Sequence, residues 1–152
     1  MWDSTFFIQL ITSMLSSVAY SVIFRLRARY LPWAAIGGGL TFFMYYVILQ
    51  AFSSVFAAAF FGSALMAIFS EFCARVKQAP AVIFILPCAI PIVPGGSLYR
   101  AMYYLISKNT SLAAQYFGET LAVAGGIAGG IAIVSLLVHL INAGTRQLQE
   151  RK

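Results

Sequence analysis

The sequence predicts an all-α integral membrane protein with about five transmembrane helices, the fourth of which is broken. Three observations predict it: 61% of the 152 residues are hydrophobic, only 9% are charged, and the apolar residues fall in runs long enough to cross a bilayer. A water-soluble domain carries about 25% charged residues, so the composition excludes that class and also excludes a disordered chain. Spans of about 20 residues use most of the sequence, so we expect a single membrane domain over residues 1–152.

The first span is predicted over residues 5–24, which contain no charged residue. Its polar side chains recur at steps of three and four, and this spacing places them in one stripe along a helix. Hydroxyl and amide groups that face hydrocarbon are costly, so the stripe serves either as a contact with neighbouring helices or as part of a substrate path. The stripe consists of Gln9, Thr12, Ser13, Ser16, Ser17 and Tyr20.

The second and third spans are predicted over residues 33–49 and 54–72. Proline is frequent at a helix start, and Pro32 precedes the second span. That span contains three consecutive glycines at residues 37–39, and the third span carries small residues every four positions from Ser54. Small residues let helices approach closely in lipid, so both spans are expected to pack tightly against their neighbours.

The fourth span is predicted over residues 81–106 and is interrupted near its centre. Residues 81–93 form an apolar run of thirteen residues. Such a run makes about 20 Å of helix, which is too short for a hydrocarbon core of about 30 Å. Crossing therefore requires two half-helices joined by an unwound PIVPGG segment, although a simple proline kink is the alternative.

A break of this kind predicts a binding site. Where a membrane helix unwinds, its freed backbone groups must be buried in protein or line a wet cavity, and transporters bind substrates at such places. The amides at the start of the second half-helix favour a carboxylate, and Arg100 either adds a charge there or reaches water at the membrane surface. The predicted substrate path consists of Pro87, Pro91, Pro94, Gly95, Gly96, Ser97, Tyr99 and Arg100.

The fifth span is predicted over residues 117–141 and contains the motif GGIAGG. Its glycines recur at intervals of four, which predicts a close helix contact within the chain or with a partner. Glu119 near the start of the span is a candidate for ion coupling, because carboxylates inside membranes are commonly functional. The alternative is that Glu119 caps the helix and meets its dipole. The glycines are Gly125, Gly126, Gly129 and Gly130.

Basic residues predict the orientation of the chain. With five spans and the amino end outside, eight of the ten Lys and Arg residues fall on the inner face, and only Arg100 and Lys108 fall outside. The positive-inside rule therefore favours an outer amino end and a cytoplasmic carboxyl end in a cell (inner) membrane. The inner residues are Arg25, Arg27, Arg29, Arg75, Lys77, Arg146, Arg151 and Lys152.

The sequence contains few residues in patterns that would indicate catalysis, metal binding, a cofactor or nucleic-acid binding. The only histidine, His139, lies one turn after Ser135 without an acid nearby to complete a triad, so we predict no catalytic residues. One histidine and two distant cysteines give no metal site, and the two thiols are expected to be buried and free. The sequence contains no phosphate-binding loop, so we predict no cofactor. It contains no block of basic residues, so we predict no nucleic-acid binding.

The run KQAPAVIFILPCAIPIVPGGSLYRAMYYL, residues 77–105, resembles the threonine/serine exporter family. The segments SEFCAR before it and GETLAVAGGIAGGIAI after it extend the resemblance over most of residues 70–133. The chain is similar to the small, separately encoded subunit of that family. The resemblance implies secondary export of small hydroxy amino acids, or in split members of dicarboxylates such as succinate, together with a larger membrane subunit that supplies the missing first half.

The sequence therefore predicts a membrane subunit of a secondary exporter, embedded in the lipid bilayer and driven by an ion gradient. Its substrate is a small carboxylate-bearing metabolite. A membrane scaffold or assembly factor is the alternative, because small-residue helix faces alone would suffice for that role. An intramembrane hydrolase would require His139 to meet Ser135 or Ser97. The PIVPGG break distinguishes the first two classes, since a scaffold has no need to expose backbone at depth.

Overall fold

A computed structural model describes residues 4–149 and the side chains of residues 4–141. The structure is 89% helical, and no strand occurs in the described part, which confirms the predicted fold class. Two one-turn 3-10 helices, Ala28–Tyr30 and Ile90–Ile92, interrupt the α-helices. The α-helices are α1 Ser4–Ile23, α2 Leu31–Phe52, α3 Val55–Lys77, α4 Val82–Ala89, α5 Gly95–Ile106 and α6 Thr110–Gln149.

Four of the helices are long and apolar enough to cross a membrane, namely α1, α2, α3 and α6. The arm Val82–Ile92 and helix α5 pass the same test only when they are taken together, so the number of spans rises to five if the bent pair is one span. Among the basic residues used for the predicted orientation, Arg151 and Lys152 and the side chain of Arg146 lie outside the described part.

Helices α1 and α2 run antiparallel and pack closely through glycine. A Cβ added to Gly38 would lie 2.7 Å from the Cβ of Ser17, and one added to Gly39 would lie 3.0 Å from Met14. Gly37, on another side of α2, would meet Phe69 of α3 and Cys88 of α4. The three glycines therefore let α2 approach three different helices, which puts α2 at the centre of the bundle.

Helices α3 and α6 run in the same direction. Gly126 of α6 packs against Phe56 and Ala59 of α3, and Gly130 packs one turn further along, against Phe60 and Ser63. Because α3 and α6 are parallel, the chain between them must return to the end where α3 begins. The α4–α5 pair therefore crosses the bundle as one broken span, whereas a re-entrant loop would have reversed α6.

The helix directions separate the described basic residues into two groups. Arg25, Arg27 and Arg29 follow α1, and Arg75 and Lys77 end α3, so these five residues share one end of the bundle. Lys108 lies in the turn before α6, at the opposite end. Aromatic rings accompany the first group: the Lys77 ammonium lies 4.9 Å from the Trp33 ring, and the Arg29 guanidinium lies 4.7 Å from the Tyr30 ring.

Helix α5 packs mainly along the first part of α6. The Tyr104 and Tyr116 rings stack with centroids 5.6 Å apart, and Ala101 is the buried residue of α5. α6 begins earlier than the predicted fifth span because Asn109 caps it: the Asn109 side-chain oxygen accepts a hydrogen bond from the Leu112 amide at 3.3 Å. The polar loop is therefore limited to residues 107–109.

Candidate functional site

The break in the fourth span has two parts. After Ala89 the α-helix tightens into the 3-10 turn Ile90–Ile92, and Val93 and Pro94 then leave helical geometry with ψ angles of 128° and 52°. The two arms on either side meet at 52°. Pro91 and Pro94 account for this geometry, because proline donates no N–H to the helix ladder and its ring clashes with the carbonyl one turn before it.

The unwound segment is shorter than the predicted PIVPGG. Pro91 lies within the 3-10 turn, and Gly95 and Gly96 already belong to the first turn of α5. Pro94 occupies the N-cap position of α5, where an amide is not needed for the helix ladder, so the helix resumes directly after it. Pro87 is buried inside α4. Only Val93 and Pro94 are therefore free of helical structure.

An open cavity of about 370 Å³, lined by both polar and apolar side chains, lies beside the break. Pro91 of the 3-10 turn and Phe42 of α2 form two of its walls, and the polar face of α1 forms the rest. The structure thus brings one residue of the predicted substrate path together with the predicted polar stripe. The α1 residues that line the cavity are Gln9, Thr12, Ser13 and Ser16.

The cavity lies near the middle of the helices that line it. Its α1 residues occupy the centre of Ser4–Ile23, and Phe42 occupies the centre of Leu31–Phe52. A helix of 20 residues such as α1 is about 30 Å long, which matches the thickness of the hydrocarbon core. The break and its cavity are therefore at mid-depth of the bundle, the depth at which transporters with broken helices hold their substrates.

The hydroxyl groups around the cavity donate to their own helix. Thr12 Oγ1 lies 2.9 Å from the carbonyl oxygens of both Ile8 and Gln9, which share its single proton. Ser16 Oγ donates to the Ser13 carbonyl at 2.8 Å. Each of these hydroxyl groups therefore has an acceptor within its own helix and needs no group from another helix.

The polar stripe of α1 divides between two surfaces. Ser13, Ser17 and Ser21 are buried, and Ser17 faces Gly38 of α2. Gln9 and Thr12 are exposed beside the cavity, and Ser16 is half-buried. The two interpretations of the stripe, helix contact and substrate path, therefore each fit one part of it.

The other predicted path residues do not line this cavity. Pro87 lies inside α4, and the rest lie in α5 or at its N-cap. Tyr99 is 71% exposed, and the Arg100 guanidinium lies 5.6 Å from the centre of the Tyr116 ring. Glu119 follows Tyr116 by one turn, and it lies close enough to Tyr45 of α2 to interact with its phenol electrostatically. Arg100 and Glu119 therefore lie on the α5–α6 pair, away from this cavity.

The capping role considered for Glu119 is wrong. α6 begins at Thr110 with Asn109 as its cap, so Glu119 lies more than two turns inside the helix. A carboxylate at that position cannot reach the free amides of the first turn, because only the first four amides of a helix lack a partner. Ion coupling or a packing role remains for this residue.

Sequence reasoning did not identify Phe42 or Tyr45. Both lie on α2, whose sequence reads as uniformly apolar, so no periodic signal distinguishes the face that meets the break. The hydrolase alternative concerns three residues. Ser135 and His139 are exposed on α6, whereas Ser97 lies in the first turn of α5. Among the described residues, no group of three or more His, Cys, Asp or Glu side chains is placed to hold a metal ion.

Comparison with known proteins gives a family match. A model of the family described as Threonine/Serine exporter, ThrE, matches residues 9–137. The match begins at the first cavity residue of α1 and continues through the break and the glycines of α6. No curated protein and no solved structure matches the chain.

Proposed function

The chain belongs to the threonine/serine exporter family, and we propose that it is one membrane subunit of a secondary exporter. Its substrates are small carboxylate-bearing metabolites, either threonine and serine or dicarboxylates such as succinate. The family is one of transporters, which supports movement of a solute across a membrane as the activity. The proposed location is the cell inner membrane, where an ion gradient drives export.

The open cavity at mid-depth, with polar side chains of α1 along one side, is the observation that supports this function best. It joins a helix break to a hydroxyl-rich helix face, and its Gln9 and Thr12 side chains are exposed. Polar groups and interrupted backbone at this depth are costly in lipid unless they line a wet path or meet protein. A scaffold, the alternative function, needs neither feature.

The same exposure supports a larger partner subunit. Gln9 and Thr12 are on a surface of the described part that no other helix covers, although an amide and a hydroxyl at mid-depth are disfavoured against hydrocarbon. A second membrane protein that packs over this face would cover both side chains and close the cavity into a path. The small chain and the partner would then share the substrate site.

The start of α5 supplies the second part of the proposed path. The amides of Gly96 and Ser97 belong to the first turn of that helix, where no intrahelical carbonyl accepts their hydrogen bonds. Such amides favour a carboxylate. Tyr99 and Arg100 follow on the same helix and line the continuation of the path toward the α5–α6 turn.

A transport assay tests the function. The chain and its larger subunit, reconstituted together in vesicles, should export labelled threonine and serine, or succinate, when an ion gradient is applied. Vesicles with either subunit alone are the controls, and both should be inactive because each supplies only part of the path. If the larger subunit alone transports as fast as the pair, the small chain is a scaffold or assembly factor.

Glu119 is the proposed coupling residue, and Glu119→Gln tests it in the same vesicles. The substitution keeps the shape of the side chain and removes its titratable charge. Gradient-driven export should be lost while substrate exchange without a gradient is retained, and Glu119→Asp, which keeps the carboxylate, should preserve coupling. Normal gradient-driven export by Glu119→Gln would show that the residue takes no part in coupling.

The proposed orientation has the amino end outside and the carboxyl end in the cytoplasm. Cysteine placed at Ser4 or Lys108 should then react with an impermeant thiol reagent added outside intact cells, and cysteine at Arg27 should not. The background for this labelling is the variant with serine in place of both Cys73 and Cys88. Outside labelling at Arg27 would reverse the orientation.

A further inference from the structure

One end of the bundle carries a strong excess of positive charge. Among the described residues, only Glu71 brings an acidic side chain to this end, because Glu119 lies in the first third of α6, which begins at the opposite end. Five basic residues against one acidic residue leave an excess of four positive charges. Like charges held close together repel one another, so an anion from outside the chain would stabilise this end. The basic residues are Arg25, Arg27, Arg29, Arg75 and Lys77.

Aromatic rings hold two of these cations in place. Arg29 donates a hydrogen bond to the Tyr30 hydroxyl, and its guanidinium lies 4.7 Å from the centre of the same ring. The Tyr30 ring is buried and packs edge-on against Phe84 of α4, so it cannot move freely. The Lys77 ammonium lies 4.9 Å from the centre of the Trp33 ring. A guanidinium has five N–H donors and an ammonium three, so both cations keep donors for a further acceptor.

The two rings bring both cations to the first turn of α2. Tyr30 directly precedes that helix, and Trp33 is its third residue. Side chains three residues apart on a helix are neighbours, with Cβ atoms about 5–6 Å apart. Arg29 belongs to the 3-10 helix before α2, and Lys77 ends α3, so cations from two separate elements converge on one place.

Exposed apolar side chains adjoin the cations. Val76 directly precedes Lys77 and is 52% exposed, and Phe72, one turn earlier on α3, is 57% exposed. Phe24, which precedes Arg25, is 47% exposed. A ligand with an anionic head and an apolar tail complements both the charge and this surface, whereas a phosphate ion or an acidic protein segment complements only the charge.

We propose that Arg29 and Lys77 bind the phosphate group of an anionic phospholipid, whose acyl chains lie along Phe72 and Val76. Arginine suits a phosphate because its N–H groups can donate two parallel hydrogen bonds, and lysine adds a point charge. Basic pockets between membrane helices bind lipid headgroups in this way. The bound lipid would tie the start of α2 to the end of α3, and the proposal does not depend on which solute the chain moves.

Lipid binding to the purified full chain in neutral detergent tests the proposal, with native mass spectrometry as the measurement. Phosphatidylglycerol should bind with a Kd about tenfold or more lower than that of phosphatidylcholine with the same acyl chains, because the choline cation is repelled by this end. Inorganic phosphate at the same concentration should not displace phosphatidylglycerol. Equal affinity for the two lipids would overturn the proposal, and displacement by inorganic phosphate would show a site for free phosphate instead.

Variants test the assigned residues. Arg29→Gln with Lys77→Gln should raise the Kd for phosphatidylglycerol about tenfold or more, the effect of losing hydrogen bonds between charged groups. Arg25→Gln with Arg27→Gln is the matched control, since it removes the same charge but leaves the two ring-held cations, and its effect should be severalfold smaller. Equal weakening by the two pairs would mean that the end attracts anions without a defined site.

Tyr30→Phe tests the geometry without changing the net charge. It keeps the ring and removes the hydroxyl that orients Arg29, so the Kd for phosphatidylglycerol should rise about threefold. Thermal unfolding in the same detergent shows whether each variant is folded, and Tyr30→Phe decides the question if the Arg29 and Lys77 pair is not. An unchanged Kd in folded Tyr30→Phe would reject the orienting role of this hydroxyl in the site.

An acidic surface of a larger subunit would give a different result. In that case Arg29→Gln with Lys77→Gln would leave the Kd for phosphatidylglycerol unchanged and would abolish copurification with the larger subunit, and the lipid site would be wrong. The proposed transport function is decided separately, by whether the unmodified pair of subunits moves threonine, serine or succinate.

Discussion

Replacing Gly126 and Gly130 together by leucine is expected to prevent the bundle from folding, even though the chain still inserts into the membrane. A Cβ at Gly126 would lie 2.7 Å from the Phe56 carbonyl oxygen and 2.9 Å from the Ala59 Cβ. A Cβ at Gly130 would collide with the Phe60 carbonyl and the Ser63 hydroxyl. Backbone atoms cannot move aside as a side chain does, so α6 must separate from α3.

The expected loss is large because it combines overpacking at two positions, each costing about 1–3 kcal/mol, with loss of the close helix contact itself. The Ser63 hydroxyl, which lies 3.4 Å from the Gly126 carbonyl, would lose that contact as well. The measurement is the folded fraction in detergent, from thermal unfolding and size exclusion, compared with the amount of protein in the membrane.

Gly125 and Gly129 provide a control with the same residue types and the same spacing. A Cβ at Gly125 would have its nearest neighbour 3.8 Å away, and one at Gly129 would lie 3.4 Å from the flexible Phe60 ring. The pair Gly125→Leu and Gly129→Leu should therefore fold nearly as well as the parent. Equal stability of both leucine pairs would mean that the α3–α6 contact is not set by Gly126 and Gly130.

The glycine motif illustrates what sequence can and cannot predict. Residue spacing identifies which face of a helix packs closely, and the spacing in GGIAGG identified such a face. Spacing does not show which helix packs against that face. The structure assigns the Gly126 and Gly130 half of the motif to α3 of the same chain, a contact that the sequence left open between this chain and a partner.

The polar stripe of α1 shows the same limit. Periodicity grouped Gln9 and Ser17 into one stripe, whereas the stripe is wide enough to meet α2 on one side and the break on the other. The length of the apolar run predicted the position of the break. It did not predict how many residues of the break are unwound. Glycines after a proline are compatible both with unwound chain and with a helix start, so the sequence could not decide for Gly95 and Gly96.

Straightening the break is the other change with a large expected effect. In the variant Pro91→Ala with Pro94→Ala, both positions regain an N–H and lose the ring that excludes them from a helix interior, a penalty of about 3 kcal/mol per proline. The arms that now meet at 52° should join into one straight helix. Pro91 would then no longer line the cavity, and the start of α5 would no longer present free amides.

Export by this variant should fall by about tenfold or more, since displacement of binding groups by an ångström or so has effects of that order, while its abundance in the membrane matches the parent. Gly118→Ala is the control for replacing a residue by alanine outside the proposed path. Gly118 is already helical, and a Cβ added to it has no neighbour within 4 Å, so this variant should export normally. Cysteine cross-linking across the break measures whether the helix of the proline variant is straight. If the variant is abundant and straight and still exports at the parental rate, the break does not form the substrate path. The scaffold function then becomes the better account of the chain.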